Sequence, residues 1–405
     1  MRTLQTRQPA RARRAQSGLD VLVAERFRPL RGLAVGLVCN HTAVDARLRH
    51  AADLLHQASG VRLAALFGPE HGVRGAAQYM AAVADERDAR TGVVVRSLYG
   101  PTRESLAPAP EELAELDALV FDVQDVGARY YTYQATMMLC MEAAARAGKR
   151  FFVLDRPNPI GGIAIEGPRL TPGFESFCGL HDLAPRHGMT VGELARLFRA
   201  ERGMAGLELT VVPCRGWRRS MLQRETAMPW VFPSPNMPTP ETALVYPGMC
   251  LLEGTNLSEG RGTTRPFHLF GAPWLDADRL VEALEAERLP GVAFRPVHFV
   301  PTFDKHRGEE AHGAELVVTD AGAFLSFRTG VACVAAARAQ APAEFRWRTE
   351  RYEFVDGIPA FDLLCGSDRE RQALERGVPL AELARPWADE ERLFAGRRRR
   401  HMLYE

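Results

Sequence analysis

Leu33-Ala34-Val35-Gly36-Leu37-Val38-Cys39-Asn40-His41-Thr42 is an apolar run that stops abruptly at an amide, an imidazole and a hydroxyl. A run with no polar alternation has no face left for water, which predicts a strand buried on both sides, as in a parallel sheet. Four further runs, at 62–67, 93–98, 118–121 and 151–154, read the same way. Between and after them, 47–58, 111–116, 134–147 and 191–199 carry helical periodicity, and this β-α-β-α order implies a parallel sheet covered on both faces. The expected fold class is α/β: a Rossmann-like domain over 18–200, then a smaller mixed α+β domain over 201–405, with an active cleft at their interface.

The ends of these strands are unusually polar. They run into Asn40-His41-Thr42, Gly68-Pro69-Glu70-His71-Gly72, Tyr99-Gly100-Pro101, Asp122-Val123-Gln124-Asp125 and Asp155-Arg156-Pro157-Asn158-Pro159. In open α/β sheets ligands bind at the carboxyl ends of the strands, so five loops are expected to converge on one crevice. Turn chemistry alone accounts for Gly100 or Pro159, but not for Glu70, His71, Gln124 and Asp125 together.

Past this half, 217–247 is dense in Pro and Trp and reads as a long ordered loop. Strands are expected at 292–300 and 314–319, a helix at 331–339, and helical tail pieces at 372–375 and 380–383. Residues 1–17 read as a disordered basic tail, and the closing arginines at 397–400 as a solvated helix end.

Fifty-one Lys and Arg against 50 Asp and Glu leave a formal charge of +1, too small a field to hold nucleic acid. Seven scattered cysteines argue against a disulfide framework or a structural zinc site. No apolar stretch is long enough to insert into a membrane, and the basic start lacks the apolar run of a secretory signal. The expectation is a cytoplasmic protein on the sequence as it stands, periplasmic or secreted if the true start lies upstream. Oligomeric state is not legible.

Nucleotide loops, H-E-x-x-H and G-x-S-x-G are all absent, which leaves carboxylates as the candidate chemistry. Glu70 sits between glycines beside His71 and Arg74, and is the first choice for a general acid. Cleaving a glycosidic bond also needs a second group, and Asp122 or Asp125 could provide it, with Tyr130, Tyr131 and Tyr133 available to stack on a sugar. One of those aspartates could equally cap the next helix, and the tyrosines could be core. In 253–267, Glu253, Asn256, Glu259, Arg261 and Arg265 suggest a clamp for a carboxylate and hydroxyls; the alternative is an internal salt-bridge network. Asp304, His306 and His312 lack a diagnostic third ligand spacing and read as a solvated loop, so no metal and no cofactor are expected.

At these clusters the chain resembles the exo-β-N-acetylmuramidases of the NamZ type. The resemblance takes in Asn40-His41-Thr42, the segments 67–75, 121–133 and 154–162, Pro233-Ser234-Pro235-Asn236-Met237-Pro238-Thr239, 253–267 and Phe361-Asp362-Leu363-Leu364-Cys365-Gly366-Ser367. It implies release of N-acetylmuramic acid from muropeptides or MurNAc–GlcNAc oligosaccharides, with the Gly-Pro-Glu-His-Gly glutamate, here Glu70, as the catalytic acid. Glu70, His71 and Asp125 are thus the expected catalytic set. Asn40, Arg74, Gln124, Tyr130, Tyr133, Asn158, Asn236, Glu253, Asn256, Glu259, Arg261 and Arg265 are the expected substrate contacts, one of the arginines pairing the lactyl carboxylate. The rival readings are a hydrolase for another amino sugar and a peptidoglycan-fragment sensor without turnover.

Overall fold

A computed structural model describes residues 14–69, 72–74, 86–100 and 102–405 of the chain. Among these residues the larger sheet has seven strands: β1 (Ala34–Cys39), β2 (Arg62–Gly68), β3 (Glu86–Arg87), β4 (Val94–Ser97), β5 (Ala118–Asp122), β6 (Arg150–Leu154) and β7 (Leu209–Val212). Their order is β3-β4-β2-β1-β5-β6-β7, parallel throughout except for β3, which pairs antiparallel with β4. Every residue of β1 and β5 is buried. Ala118 and Val120 join one core and Leu119 and Phe121 the other, so the sheet is covered on both faces as the unbroken apolar runs require.

The five expected strands are present. β7 lies beyond Ala200 yet pairs with β6, so the first sheet extends past the expected end of its domain. Of the stretch 1–17 expected to be a disordered tail, residues 1–13 lie outside the described residues, and the rest is ordered. Ser17 caps the helix Gly18–Ala24 through a reciprocal bond with Asp20, Ala15 is buried, and Gln16 bridges to Arg215, so 14–17 are ordered.

The smaller sheet is antiparallel, in the order β8 (Leu269–Ala272), β10 (Ala311–Val318), β9 (Val292–Phe299). Helix Ala277–Ala286 packs on it, and helix Ser326–Gln340 packs against that helix. Apart from a 3-10 turn at Gln223–Thr226, the Pro-rich stretch is irregular as far as Thr239, which caps a helix over Pro240–Met249. Proline is tolerated at a first helical position, where its missing N–H has no partner to lose; the proline density concealed this helix. Of the closing arginines, Arg399 and Arg400 are exposed as expected, but Arg397 and Arg398, at the end of the helix Trp387–Arg398, are not solvated. Arg398 is buried and donates to the carbonyls of His187, Gly188 and Ile163, while Arg397 pairs with Asp182 and Glu201. All seven cysteines are free and buried, and no described helix is long and apolar enough to cross a membrane.

Helices Pro240–Met249 and Ser326–Gln340 meet glycine to glycine. A Cβ on Gly330 would fall 2.1 Å from the Gly248 carbonyl oxygen, a backbone atom that cannot swing aside. Gly330→Ala is therefore expected to cost about 1–3 kcal/mol of overpacking or more. Urea unfolding would register it as a lower midpoint at unchanged slope; an unchanged midpoint would contradict this packing.

Candidate active site

β1 is where strand order reverses: β2 lies on one side of it and β5 on the other, which places a ligand crevice at their carboxyl ends. The loops leaving these strands are bound to one another. Asn40 Oδ1 accepts from the Thr42 amide at 2.9 Å and from its hydroxyl, and Thr42 Oγ1 accepts from the Gln124 amide at 3.0 Å. Gln124 Nε2 donates to the carbonyls of Asp125 (2.8 Å) and Pro157 (3.0 Å). Asn158 holds the third loop, accepting from the Ile160 amide and donating to the Met189 carbonyl. Much of the hydrogen-bonding capacity of Asn40, Gln124 and Asn158 is therefore spent on polypeptide.

Beneath them, Asp122 and Arg156 form a buried ion pair at 2.6 Å. Burial pushes the Asp122 carboxyl up even so. Asp155 accepts from Thr190 Oγ1, the Gly192 amide and the hydroxyl of Tyr404, and burial pushes its pKa up to about 6.

Several buried polar atoms here have no hydrogen-bond partner among the described residues: Asn40 Nδ2, His41 Nδ1, Asp122 Oδ2, Asp125 Oδ1 and His187 Nε2. Unmet buried groups are rare in folded proteins, and their clustering marks a polar site. Asp125 accepts from the Gly127 amide through Oδ2, which also lies 3.6 Å from His187 Nε2, an electrostatic contact rather than a hydrogen bond. His41 Nε2 donates to the Phe232 carbonyl at 2.7 Å, and burial lowers its pKa, keeping the ring neutral at pH 7 with Nδ1 free to accept. The segment 228–231 covers a crevice lined by Thr42, Asp45, Gln124 and Arg156.

Glu70 and His71 lie outside the described residues. β2, which leads to them, ends at Gly68 beside β1. Arg74 is placed away from a substrate role, for its guanidinium is engaged by Asp53 (2.8 Å) and Asp88 (2.9 Å).

An aromatic and charged cluster packs next to these loops. Tyr131 meets Tyr246 edge-on at 5.7 Å, and Tyr246 meets Phe267 at 4.9 Å. Tyr130 donates to the Pro247 carbonyl and Tyr133 to that of Pro233 at 2.8 Å; both are buried, tying the strand-end loop to the Pro-rich segment and its helix rather than offering a face to sugar. The expected clamp is in fact a network. Arg261 pairs with Glu253 at 2.5 Å and Glu259 at 2.9 Å, Lys305 pairs with Glu259 at 3.0 Å, and Tyr352 donates to Glu253 at 3.0 Å. Arg265 is half-exposed and pairs with Glu315, Asn256 bonds the backbone of Glu344 and Arg346, and the Asn236 amide donates to Ser234 Oγ. Sequence reading missed Lys305, Tyr246, Tyr352 and Arg348. The guanidinium carbon of Arg348 lies 4.8 Å from the centre of the Tyr352 ring, and the group has no carboxylate partner among the described residues. Only their nearness in space, which no motif encodes, marks these residues.

A cavity of about 580 Å³ at the edge of β7 is lined by Arg196, Arg199, Leu209, Val211 and His401, and carries no carboxylate. It does not suit acid-catalysed cleavage.

The family model described as exo-beta-N-acetylmuramidase NamZ, N-terminal, matches residues 35–241, and its C-terminal counterpart matches 244–404. The chain belongs to the NamZ family. The peptidoglycan beta-N-acetylmuramidase NamZ of Bacillus subtilis (strain 168) is 43% identical over 397 residues, 98% of this chain and 93% of that relative. Crystal structures of two DUF1343 family proteins from Bacteroides fragilis NCTC 9343 share the NamZ fold seen here. One has a TM-score of 0.89 at 35% identity over 98% of this chain and 100% of its own; the other has 0.75 at 27% over 96% and 99%. The NamZ boundary at 241–244 falls just where the helix Pro240–Met249 begins, after β7.

Two outcomes test this geometry. Removing Arg261 strips a cation from buried Glu259, so Arg261→Met should cost about 3–5 kcal/mol, whereas Arg265→Ala, at the surface, should cost about 1 kcal/mol or less. Equal losses in denaturant unfolding would contradict the network. Asp155 binds its proton more tightly folded than unfolded, so its contribution is complete below about pH 4 and is lost as pH rises through about 6. Stability profiles should therefore show the wild type declining relative to Asp155→Asn over that window.

Proposed function

We propose that this chain is an exo-acting glycoside hydrolase that releases N-acetylmuramic acid from the non-reducing end of peptidoglycan fragments, muropeptides or MurNAc–GlcNAc oligosaccharides. The observation that carries the proposal is one of position. β2 ends at Gly68 beside β1, where strand order reverses, and Glu70 follows two residues later in the sequence, in a chain matched along nearly its whole length by the NamZ family. Glu70 protonates the leaving sugar's oxygen, and His71 orients it. Asp125 is the candidate second group. It is held by Gly127 and has one carboxylate oxygen unpartnered among the described residues, which suits a group that stabilises positive charge at the anomeric carbon.

The lactyl carboxylate that separates muramic from glucosamine sugars calls for a cation. Because Arg261 is already held by two glutamates, Arg348 is the better candidate for that pairing.

With a β-N-acetylmuramide as substrate and mass analysis of the released sugar, Glu70→Gln should lower turnover by about 10²–10⁴-fold while substrate binding persists. Undiminished turnover would refute the role of Glu70, and a wild type that binds without turnover would favour the sensor. Arg348→Gln should lower kcat/KM on muramides by about ten- to hundredfold more than on glucosaminides, the value of a hydrogen bond to an ion. An unchanged preference would refute that pairing.

A further inference from the structure

The hairpin of β9 and β10 carries a group of residues that neither the fold nor the proposed chemistry uses. His298 on β9 and His312 on β10 are direct partners in the antiparallel register, and cross-strand partners project to the same face. Their rings meet edge-on with centres 4.7 Å apart, and the two Nδ1 atoms face each other at 2.6 Å. Glu310 reaches into the same space, with Oε1 3.9 Å from His298 Nδ1. The ligand atoms of all three residues lie within 4.8 Å of one another. His298 and Glu310 are exposed and His312 is half-buried, so the group is open to solutes.

A 2.6 Å gap between two ring nitrogens cannot hold a proton from each, so at least one Nδ1 is unprotonated, the state a metal requires. Two imidazole nitrogens and one carboxylate oxygen make a donor set for a borderline-soft divalent ion, Zn²⁺ above all, with a fourth position left to water. In a tetrahedral site with arms near 2.0–2.1 Å the two nitrogens stand roughly 3.3 Å apart, so the rings need to open by roughly 0.7 Å. That motion is small for side chains at the surface. The neighbouring histidine does not compete, because His306 Nε2 is spent on the Asn256 carbonyl at 2.7 Å.

The position gives the ion a structural consequence. Residues 300–310 form the connection between the two strands, with His298 just before it, Glu310 at its end and His312 just after. That connection lies on the charged network: Thr302 bonds the Gly262 carbonyl, and Lys305 Nζ donates to the carbonyls of Leu252 and Leu257 and to Glu259. Its backbone takes left-handed φ values at Asp304 and His306, +67° and +57°, which side-chain-bearing residues rarely adopt. We propose that His298, Glu310 and His312 bind one divalent transition-metal ion, Zn²⁺ being the best fit, which pins the two ends of this connection and so holds Lys305 against Glu259.

The test uses the full chain, prepared without a polyhistidine tag and stripped with a chelator. It is titrated with Co²⁺, followed by its visible absorption, and with Zn²⁺ by calorimetry. The expected result is an ion bound in the wild type that the His298→Ala/His312→Ala variant binds at least about tenfold more weakly, with Glu310→Gln intermediate. Zn²⁺ should also raise the thermal midpoint and slow amide exchange over 300–310 in the wild type alone. Both histidines are on the surface of the hairpin, and a circular dichroism spectrum matching the wild type will show that the variant is folded. No uptake by the wild type, or equal uptake by the folded variant, would overturn the proposal.

Discussion

Buried polar groups at the carboxyl ends of β1, β5 and β6 must find partners, and this one requirement organises the molecule. A sheet covered on both faces excludes water, so each strand that ends in Asn, Asp or Gln carries a cost of several kcal/mol per group unless another chain segment answers it. The answers come from far along the sequence. Asp122 is met by Arg156, Thr42 by the Gln124 amide, and Asp155 by Thr190, Gly192 and Tyr404 at the far end of the chain. Loops fixed in this way form a rigid platform, on which atoms of Asn40, His41, Asp122, Asp125 and His187 are left without a partner among the described residues.

The two halves of the protein are joined by the same logic. Arg129 is fully buried without a carboxylate partner among the described residues; it donates instead to the carbonyls of Pro168 (3.2 Å), Leu183 (2.8 Å) and Leu364 (2.7 Å). The last of these belongs to the helix Ala360–Cys365, so a strand-end loop of the first sheet is bonded directly to the second half of the chain. Arg398 and Tyr404 return in the other direction. Halves bonded this often hold the strand-end loops in place, and a glycosidase acting mainly by positioned acids benefits from that rigidity.

The parallel sheet was legible because β1 and β5 are apolar without alternation, and no other structure tolerates such runs between helices so well. β7 escaped notice because Leu209-Thr210-Val211-Val212 is short and partly polar, as befits an edge strand. β3 is two charged residues and carries no hydrophobic signal at all. The site was legible as a place and less so as a set of roles. Strand-end polarity points to the crevice, but nothing in the order of residues reveals whether Arg261 faces a ligand or the two glutamates that precede it in the chain. Tyr130 and Tyr133 show the same ambiguity: as buried donors to Pro247 and Pro233 they order the scaffold, a role no local pattern distinguishes from sugar stacking.

The account turns on where the sugar lies. A crystal structure of the Glu70→Gln variant with a MurNAc–GlcNAc disaccharide would decide it most directly. The muramic ring is expected at the carboxyl ends of β1, β2 and β5, within reach of residue 70. Sugar seated instead in the cavity beside β7, among Arg196, Arg199 and His401, would contradict it.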